Sequence, residues 1–180
     1  MSHLLFDGDT NSISLFNSKD QVIGTWPASN RGGPKSDFRV NPTESFVSFI
    51  PDGEYPFDAP SQRAPQRHQE RGADTLNGTY GTLGILRLAD IVFGGQLHRG
   101  LGIHAGHQTT RDSMLVSKTP RQQVHHQGAY YRTNGCIRTT EAAMHVIAAT
   151  IAHDPLKFLR VRNNGVHPMI KVSGSEVRRL

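Results

Sequence analysis

Short segments of alternating apolar and polar residues, separated by turn-forming residues, recur along most of the chain. Leu4 and Phe6 alternate with polar neighbours before the turn-rich segment 7–11, and Ile13 and Leu15 do so after it. This pattern predicts a hairpin with one buried face. Strands are predicted at 3–6, 12–16, 21–27, 45–50, 85–91, 101–104, 158–162 and 169–172, the last two as a pair around the turn at 163–165.

Only one segment has the spacing of a helix. Within 140–153, an apolar face is predicted from Ala143, Val146, Ile147, Thr150 and Ile151. Thr139 or Thr140 is the predicted N-cap, and Glu141 in the first turn suits the helix dipole. Many short strands with one principal helix predict a mostly β fold, either a β-sandwich or a partly open barrel.

Length and composition narrow the classes of protein that remain. A chain of 180 residues predicts a single domain over 1–180. Its one cysteine excludes an intramolecular disulfide framework and a cysteine-rich zinc module. The net charge of +5 is spread along the chain without a basic block, so no nucleic-acid partner is expected. No apolar segment is long enough for membrane insertion, and the first residues lack the features of a secretory signal.

Two long polar stretches interrupt the strand pattern. Segment 57–82 contains several prolines and glycines and is expected to be a plain or mobile loop. Segment 107–133 is rich in Gln, Thr, Arg and His and is predicted to be a lid inserted over a site.

The cysteine is in a sequence context that suits a nucleophile. Cys136 follows Gly135, precedes Arg138, and comes shortly before the predicted helix. A helix N-terminus and an arginine both favour the thiolate, and amides around a glycine can hold an oxyanion. The alternative is a small buried side chain with no chemical role, which is common for cysteine.

A histidine in the right context completes the candidate site. Among ten histidines, His104 ends an apolar segment between glycines, and a nucleophilic cysteine requires such a base. His98, His107, His125 and His126 are near it in sequence and remain ambiguous. The others are interpreted as structural: His3, His68, His145, His153 and His167.

The order of these residues resembles the L,D-transpeptidase (YkuD-like) family. Ile103-His104 on a strand is followed by Gly135-Cys136-Ile137-Arg138 before a helix. Weaker similarity lies in 49–55, in Phe6-Asp7-Gly8 and in 26–29, so that the resemblance extends over about residues 1–172. It implies a YkuD-like β-sandwich.

The resemblance also implies a role for each matching residue. Cys136 would attack a peptide carbonyl to form a thioester, and His104 would be its base, oriented by the carbonyl of Ala105. The amides of Gly135 and Cys136 would hold the oxyanion. Thr133, Asn134 and Arg138 would bind the substrate, a peptidoglycan stem peptide cut before its terminal D-Ala, without a cofactor or metal.

Two departures from the family pattern concern the surroundings of this site. Asn134 stands where the family often has histidine or lysine, so the local pKa tuning is expected to differ. The separation between His104 and Cys136 is longer than is common in the family, and the extra residues fall in 107–133. A lid there would alter access of the acceptor, and His125 or His126 would be an accessory base.

In the apparent lack of a secretory signal, the chain resembles L,D-transpeptidase-related effectors that are delivered by type VI secretion. Such a protein would be exported to the periplasm of a target cell and would have a cognate immunity protein as a partner. Two alternatives remain: a non-catalytic peptidoglycan-binding module of the same fold, and a metal hydrolase using His98, His104, His107 and the pair His125-His126.

Overall fold

A computed structural model describes residues 1–30, 50–68, 74–75, 78–93, 96–106 and 135–164. These residues form strands and one helix in the following order: β1 (Ser2–Asp7), β2 (Ser12–Phe16), β3 (Val22–Ser29), β4 (Gly53–Pro56), β5 (Ile85–Arg87), β6 (Ile91–Phe93), β7 (Gln96–His98), β8 (Gly102–His104), β9 (Ile137–Thr139), α1 (Glu141–Ile151) and β10 (Leu156–Arg162). The predicted mostly β class with one principal helix is confirmed.

Most of the strands belong to one mixed sheet. Within the described residues it has eight strands in the order β4-β10-β1-β2-β3-β9-β8-β5, and β6 and β7 form a separate hairpin. Strand β3 pairs with β2 along most of its length, whereas Ala28 and Ser29 at its end pair with Thr139 and Arg138 of β9. Strand β3 thus joins the β2 side of the sheet to the β9 side. The two layers expected of a sandwich are therefore two parts of one curled sheet.

The alternation predicted for the first hairpin determines the core. Leu4, Phe6, Ile13 and Leu15 are all fully buried, while their neighbours in the strands face the other side of the sheet. Helix α1 packs on the same core.

The helix begins as predicted, and Ala143, Ile147 and Ile151 of the predicted face are buried. Thr140 is the N-cap, and its side-chain oxygen accepts a hydrogen bond from the amide of Ala143 at 3.1 Å. Met144 is buried and Val146 is 37% exposed, so the inclusion of Val146 in the buried face was wrong. Met144 is long and unbranched and fills core space that the apolar spacing alone does not reveal.

Several predicted strands differ from those observed. The segment 85–91 divides, because Ile85–Arg87 pairs with β8 whereas Ile91 begins the β6–β7 hairpin. Strands β4, β7 and β9 were not predicted. Ile50 is not in a strand; the rest of 45–50, the segment 169–172 and the lid at 107–133 lie outside the described residues. The single-domain organisation therefore stays a prediction.

Within the described part of the chain, no helix has the length and apolarity needed to span a bilayer.

Candidate active site

Strands β8 and β9 bring the two halves of the predicted motif together. They pair in parallel, with Ile103 opposite Ile137 and His104 opposite Arg138. Side chains alternate along a strand, so His104 and Arg138 project from the face opposite to that of the two isoleucines. Cys136 lies two residues before Arg138, at the entrance to β9. Adjacent strands of the sheet thus bring His104 and the segment of Cys136 and Arg138 together, although they are far apart along the chain.

The thiol of Cys136 is subject to opposing electrostatic effects. The residue is partly exposed, and its Sγ lies 3.8 Å from the carbonyl oxygen of Gly100. Burial raises the pKa of the thiol, while a backbone hydrogen bond at Gly102 and the charges of Arg138 and Arg87 lower it; the net pKa is raised. The balance of these effects favours the protonated thiol.

The helix N-terminus does not supply the positive field expected from the sequence. Strand β9 lies between Cys136 and α1, which begins only at Glu141. Because the dipole effect is confined to the first turn of a helix, the arginines are the cations that act on this thiol. The contribution of Arg87 was missed, since its place on β5 beside β8 cannot be recognised from sequence.

His104 is held in one tautomer by its neighbour. It is 2% exposed, and its Nδ1 lies 2.7 Å from the carbonyl oxygen of Ala105. Since a carbonyl oxygen can only accept, Nδ1 must carry the proton and donate it. In the neutral ring, Nε2 then has the lone pair that a general base needs. The ring of Tyr80 meets that of His104 edge-on, with the centroids 5.0 Å apart.

Arg138 is a buried cation rather than a surface residue. It is 2% exposed, and its Nη2 donates to the carbonyl oxygen of Thr79 at 3.4 Å. Two roles were expected for this arginine: recognition of a substrate carboxylate, or shaping of the site. Its burial favours the second role, together with the electrostatic effect on Cys136.

Part of the stretch expected to be a plain loop forms a wall of this site. The amide and hydroxyl of Thr82 donate to the carboxylate of Glu141 at 2.9 and 2.8 Å. Gly106 has φ +99°, and a Cβ there would clash with the carbonyl oxygens of Gly78 and Thr79. Segment 78–82 contains no helix or strand, as expected of a loop, and tertiary contacts hold it against the site.

A buried asparagine contacts the backbone of the cysteine. Asn30 is 3% exposed, and its Nδ2 donates to the carbonyl oxygens of Gly135 at 2.7 Å and of Cys136 at 2.9 Å. Its Oδ1 accepts from the amide of Ile50 and, at 2.8 Å, from Nδ2 of Asn164. Sequence reasoning missed both asparagines, since each is far along the chain from the motif and has no local pattern of its own.

Five of the remaining candidate residues lie outside the described part of the chain: Thr133, Asn134, His107, His125 and His126. Gly135 adopts φ +107°, a conformation that favours glycine. Among the residues that the structure describes, no group of three or more His, Cys, Asp or Glu side chains is arranged to hold a metal ion. Three of the histidines of the metal-hydrolase alternative lie outside these residues.

Comparison with sequence families gives no assignment. No family model matches the chain. No curated protein matches it.

Comparison with solved structures gives a likeness in fold. The Bd1075 protein of Bdellovibrio bacteriovorus matches 90% of this chain with a TM-score of 0.51 and 15% identity. This chain covers 48% of that protein, or about half its length. An L,D-transpeptidase from Mycobacterium smegmatis has a TM-score of 0.44 at 14% identity, over 89% of this chain and 58% of its own. L,D-transpeptidase 1 of Mycobacterium tuberculosis has a TM-score of 0.41 at 13% identity, and the match covers 89% of this chain and 62% of that protein.

Proposed function

We propose that this protein is a cysteine-dependent L,D-transpeptidase or L,D-carboxypeptidase that acts on peptidoglycan stem peptides. The observation that carries the proposal is the pairing of β8 with β9. It places His104, with Nδ1 committed to the carbonyl of Ala105, across from the strand that follows Cys136. The Gly-Cys-Ile-Arg motif supplies the family resemblance.

The first step is acylation of the cysteine. Because the thiol is protonated at rest, it needs a base, and Nε2 of His104 accepts its proton as sulfur attacks the substrate carbonyl carbon. A carbon–sulfur bond forms, and the carbon–nitrogen bond to the terminal D-Ala breaks. The leaving amine takes the proton back from His104, which leaves a thioester on Cys136.

The second step returns the enzyme to its resting state. An acceptor attacks the thioester carbonyl, its proton passes to His104, and the carbon–sulfur bond breaks with its electron pair on sulfur, which is then reprotonated. The amine of a second stem gives a cross-link, a D-amino acid gives exchange, and water gives carboxypeptidase activity.

Backbone amides stabilise the charge that develops in both steps. The amides of Gly135 and Cys136 are the proposed donors to the oxyanion, and the glycine lets the chain take the turn at this point. The charge of Arg138 stabilises negative charge on sulfur. Thr133 and Asn134 are proposed to contact the substrate.

The proposal extends to the biological setting. The protein acts as an antibacterial effector, exported by a specialised secretion system into the periplasm of a target cell and neutralised by a cognate immunity protein. This part depends on the resemblance to the L,D-transpeptidase family and its secreted effectors.

Activity on muropeptides tests the proposal. Purified protein is incubated with tetrapeptide muropeptides, with and without a free D-amino acid, and the products are identified by mass spectrometry. We expect loss of the terminal D-Ala or its replacement. Cys136→Ala should abolish turnover, and His104→Ala should reduce it by at least about 100-fold.

The same experiment separates the alternatives. Unchanged muropeptides, together with binding of sacculi by both wild type and Cys136→Ala, would favour the non-catalytic binding module. Full activity of Cys136→Ala that chelators abolish would favour the metal hydrolase.

A further inference from the structure

We propose that Asn30 is a positioning residue that directs the amide of Cys136 toward the oxyanion. The inference rests on the thioester chemistry proposed above. Asn30 lies at the end of β3, far from the motif in sequence, and it contacts the two peptide groups that flank the nucleophile.

The side-chain amide of Asn30 uses its full hydrogen-bonding capacity. An asparagine amide has two N–H donors and two acceptor lone pairs. The donors go to the carbonyl oxygens of Gly135 and Cys136, and the oxygen accepts from the amide of Ile50 and the side chain of Asn164. A buried polar side chain satisfied on every side has a single favourable orientation.

That orientation is determined by the chemistry of the partners. The carbonyls of Gly135 and Cys136 can only accept, and the amide of Ile50 can only donate. Rotating the Asn30 amide by half a turn would place oxygen against the carbonyls and N–H against the Ile50 amide. The assignment of Nδ2 and Oδ1 therefore follows from the network.

The direction of the Gly135–Cys136 peptide follows from this contact. In a trans peptide the N–H points opposite to the C=O of the preceding residue. With the carbonyl of Gly135 held by Asn30, the N–H of Cys136 points away from Asn30. A peptide that rotated by half a turn at Gly135 would present a carbonyl instead of a donor at that place, and the oxyanion would lose this hydrogen bond.

A second layer of contacts keeps Asn30 in place. Nδ2 of Asn164 also donates to the carbonyl of Ile50 at 2.7 Å. The amides of Asn163 and Asn164 donate to the carboxylate of Asp52 at 3.0 and 2.8 Å. The end of β10 and the start of β4 are thereby linked to the backbone of the nucleophile through one asparagine.

Two reactions of the same thiol test this role. 4-Nitrophenyl acetate acylates the thiol: sulfur bonds to the acetyl carbon, the ester C–O bond breaks, nitrophenolate leaves, and the thiol proton goes to solvent through His104. Iodoacetamide alkylates the thiol at a saturated carbon: the carbon–sulfur bond forms, the carbon–iodine bond breaks, iodide leaves, the thiol proton goes to solvent, and no oxyanion forms. We expect Asn30→Leu, which keeps the approximate size and adds no charge but removes both donors, to slow acylation of Cys136 about 100-fold. Alkylation should change little.

Two further variants complete the design. Asn164→Ala leaves the contacts of Asn30 with Gly135 and Cys136 but removes its support, so it should slow acylation in the same direction and to a smaller extent. It also serves if Asn30→Leu does not fold. Ser2→Ala, which removes a buried side-chain hydrogen bond to the carbonyl of Asp154, should change neither reaction.

The result that overturns the inference is an equal slowing of both reactions, since Asn30 would then only maintain the fold. Failure of the wild type to be acylated, or acylation unaffected in both asparagine variants, would also overturn it. Neither reagent contains a stem peptide, so a negative result with muropeptides leaves this test intact, and the two proposals can fail separately.

Discussion

Cys136 combines a protonated resting state with an environment that can support the thiolate. Burial raises the pKa of its thiol, and the nearby charges of Arg138 and Arg87 oppose that effect without overcoming it. A thiol of this kind is unreactive until a base removes its proton. In the proposed mechanism, nucleophilic attack therefore depends on His104, and the protonated thiol is less open to oxidation.

The pH dependence of alkylation follows from this balance. Only the thiolate reacts with iodoacetamide, so the rate at Cys136 should rise with pH and reach its midpoint above the ordinary thiol value of about 8.5. The measurement is the alkylation rate by mass spectrometry across neutral and alkaline pH, with a short unstructured cysteine peptide as control. A plateau of reactivity below neutral pH that is lost in His104→Ala would contradict it and indicate a preformed thiolate–imidazolium pair.

Helix α1 stabilises the site through its first turn. Thr140 caps the helix, and the carboxylate of Glu141 holds Thr82 in the wall formed by 78–82. Tyr80 in the same wall packs against His104. The start of the helix therefore supports both the core and the surroundings of His104.

Removal of the cap should have a measurable cost. Thr140→Ala leaves the amide of Ala143 without its side-chain acceptor and should lower the free energy of unfolding by about 1 kcal/mol. Val146→Ala, at an exposed position of the same helix, should change it by less than about 0.5 kcal/mol. Denaturant unfolding measures both variants. A larger loss of unfolding free energy for Val146→Ala than for Thr140→Ala would mean that Val146 is buried, as predicted from the sequence.

The first strand and the last described strand are neighbours in the sheet and are also joined by a side-chain contact. β1 and β10 pair in parallel, and Nε of Arg162 donates to Asp7 at 2.9 Å where the two strands end. Burial alone raises the pKa of the Asp7 carboxyl, but hydrogen bonds from Asn163, Arg162 and the Asp9 amide hold it below its ordinary value.

The lowered pKa of Asp7 predicts how stability depends on pH. Because the folded state favours the carboxylate, the stabilisation is present above the ordinary value of about 3.9 and is lost as pH falls through the folded value. Asp7→Asn should lower the free energy of unfolding by about 1 kcal/mol at neutral pH and reduce its decline in acid.

A matched ion pair provides the control for Asp7. Asp90 pairs with Arg99 at 3.3 Å, with both side chains more than half exposed. Asp90→Asn should change the free energy of unfolding by less than about 0.5 kcal/mol. If the two variants lose equal stability, or if Asp7→Asn keeps the wild-type decline in acid, the contact at the ends of β1 and β10 does not have the assigned effect.

The sequence by itself determined features that depend on neighbours along the chain. Alternation identified β1 and β2, and Thr140 with the apolar spacing after it identified α1. The order of His104 and Cys136, each beside glycine, singled out the candidate base and nucleophile. These signals are local, because side-chain period and capping chemistry act over a few residues.

The tertiary structure decided which distant segments meet. The parallel pairing of β8 with β9 brings Arg138 opposite His104, and the curl of the sheet brings Asn30 to the carbonyls of Gly135 and Cys136. Strand β9 has only three residues and shows no periodicity, so the sequence placed the helix, rather than a strand, next to the thiol. Short strands are defined by their partners, and for this reason the burial of Arg138 and the raised pKa of Cys136 emerge only when the chain is folded.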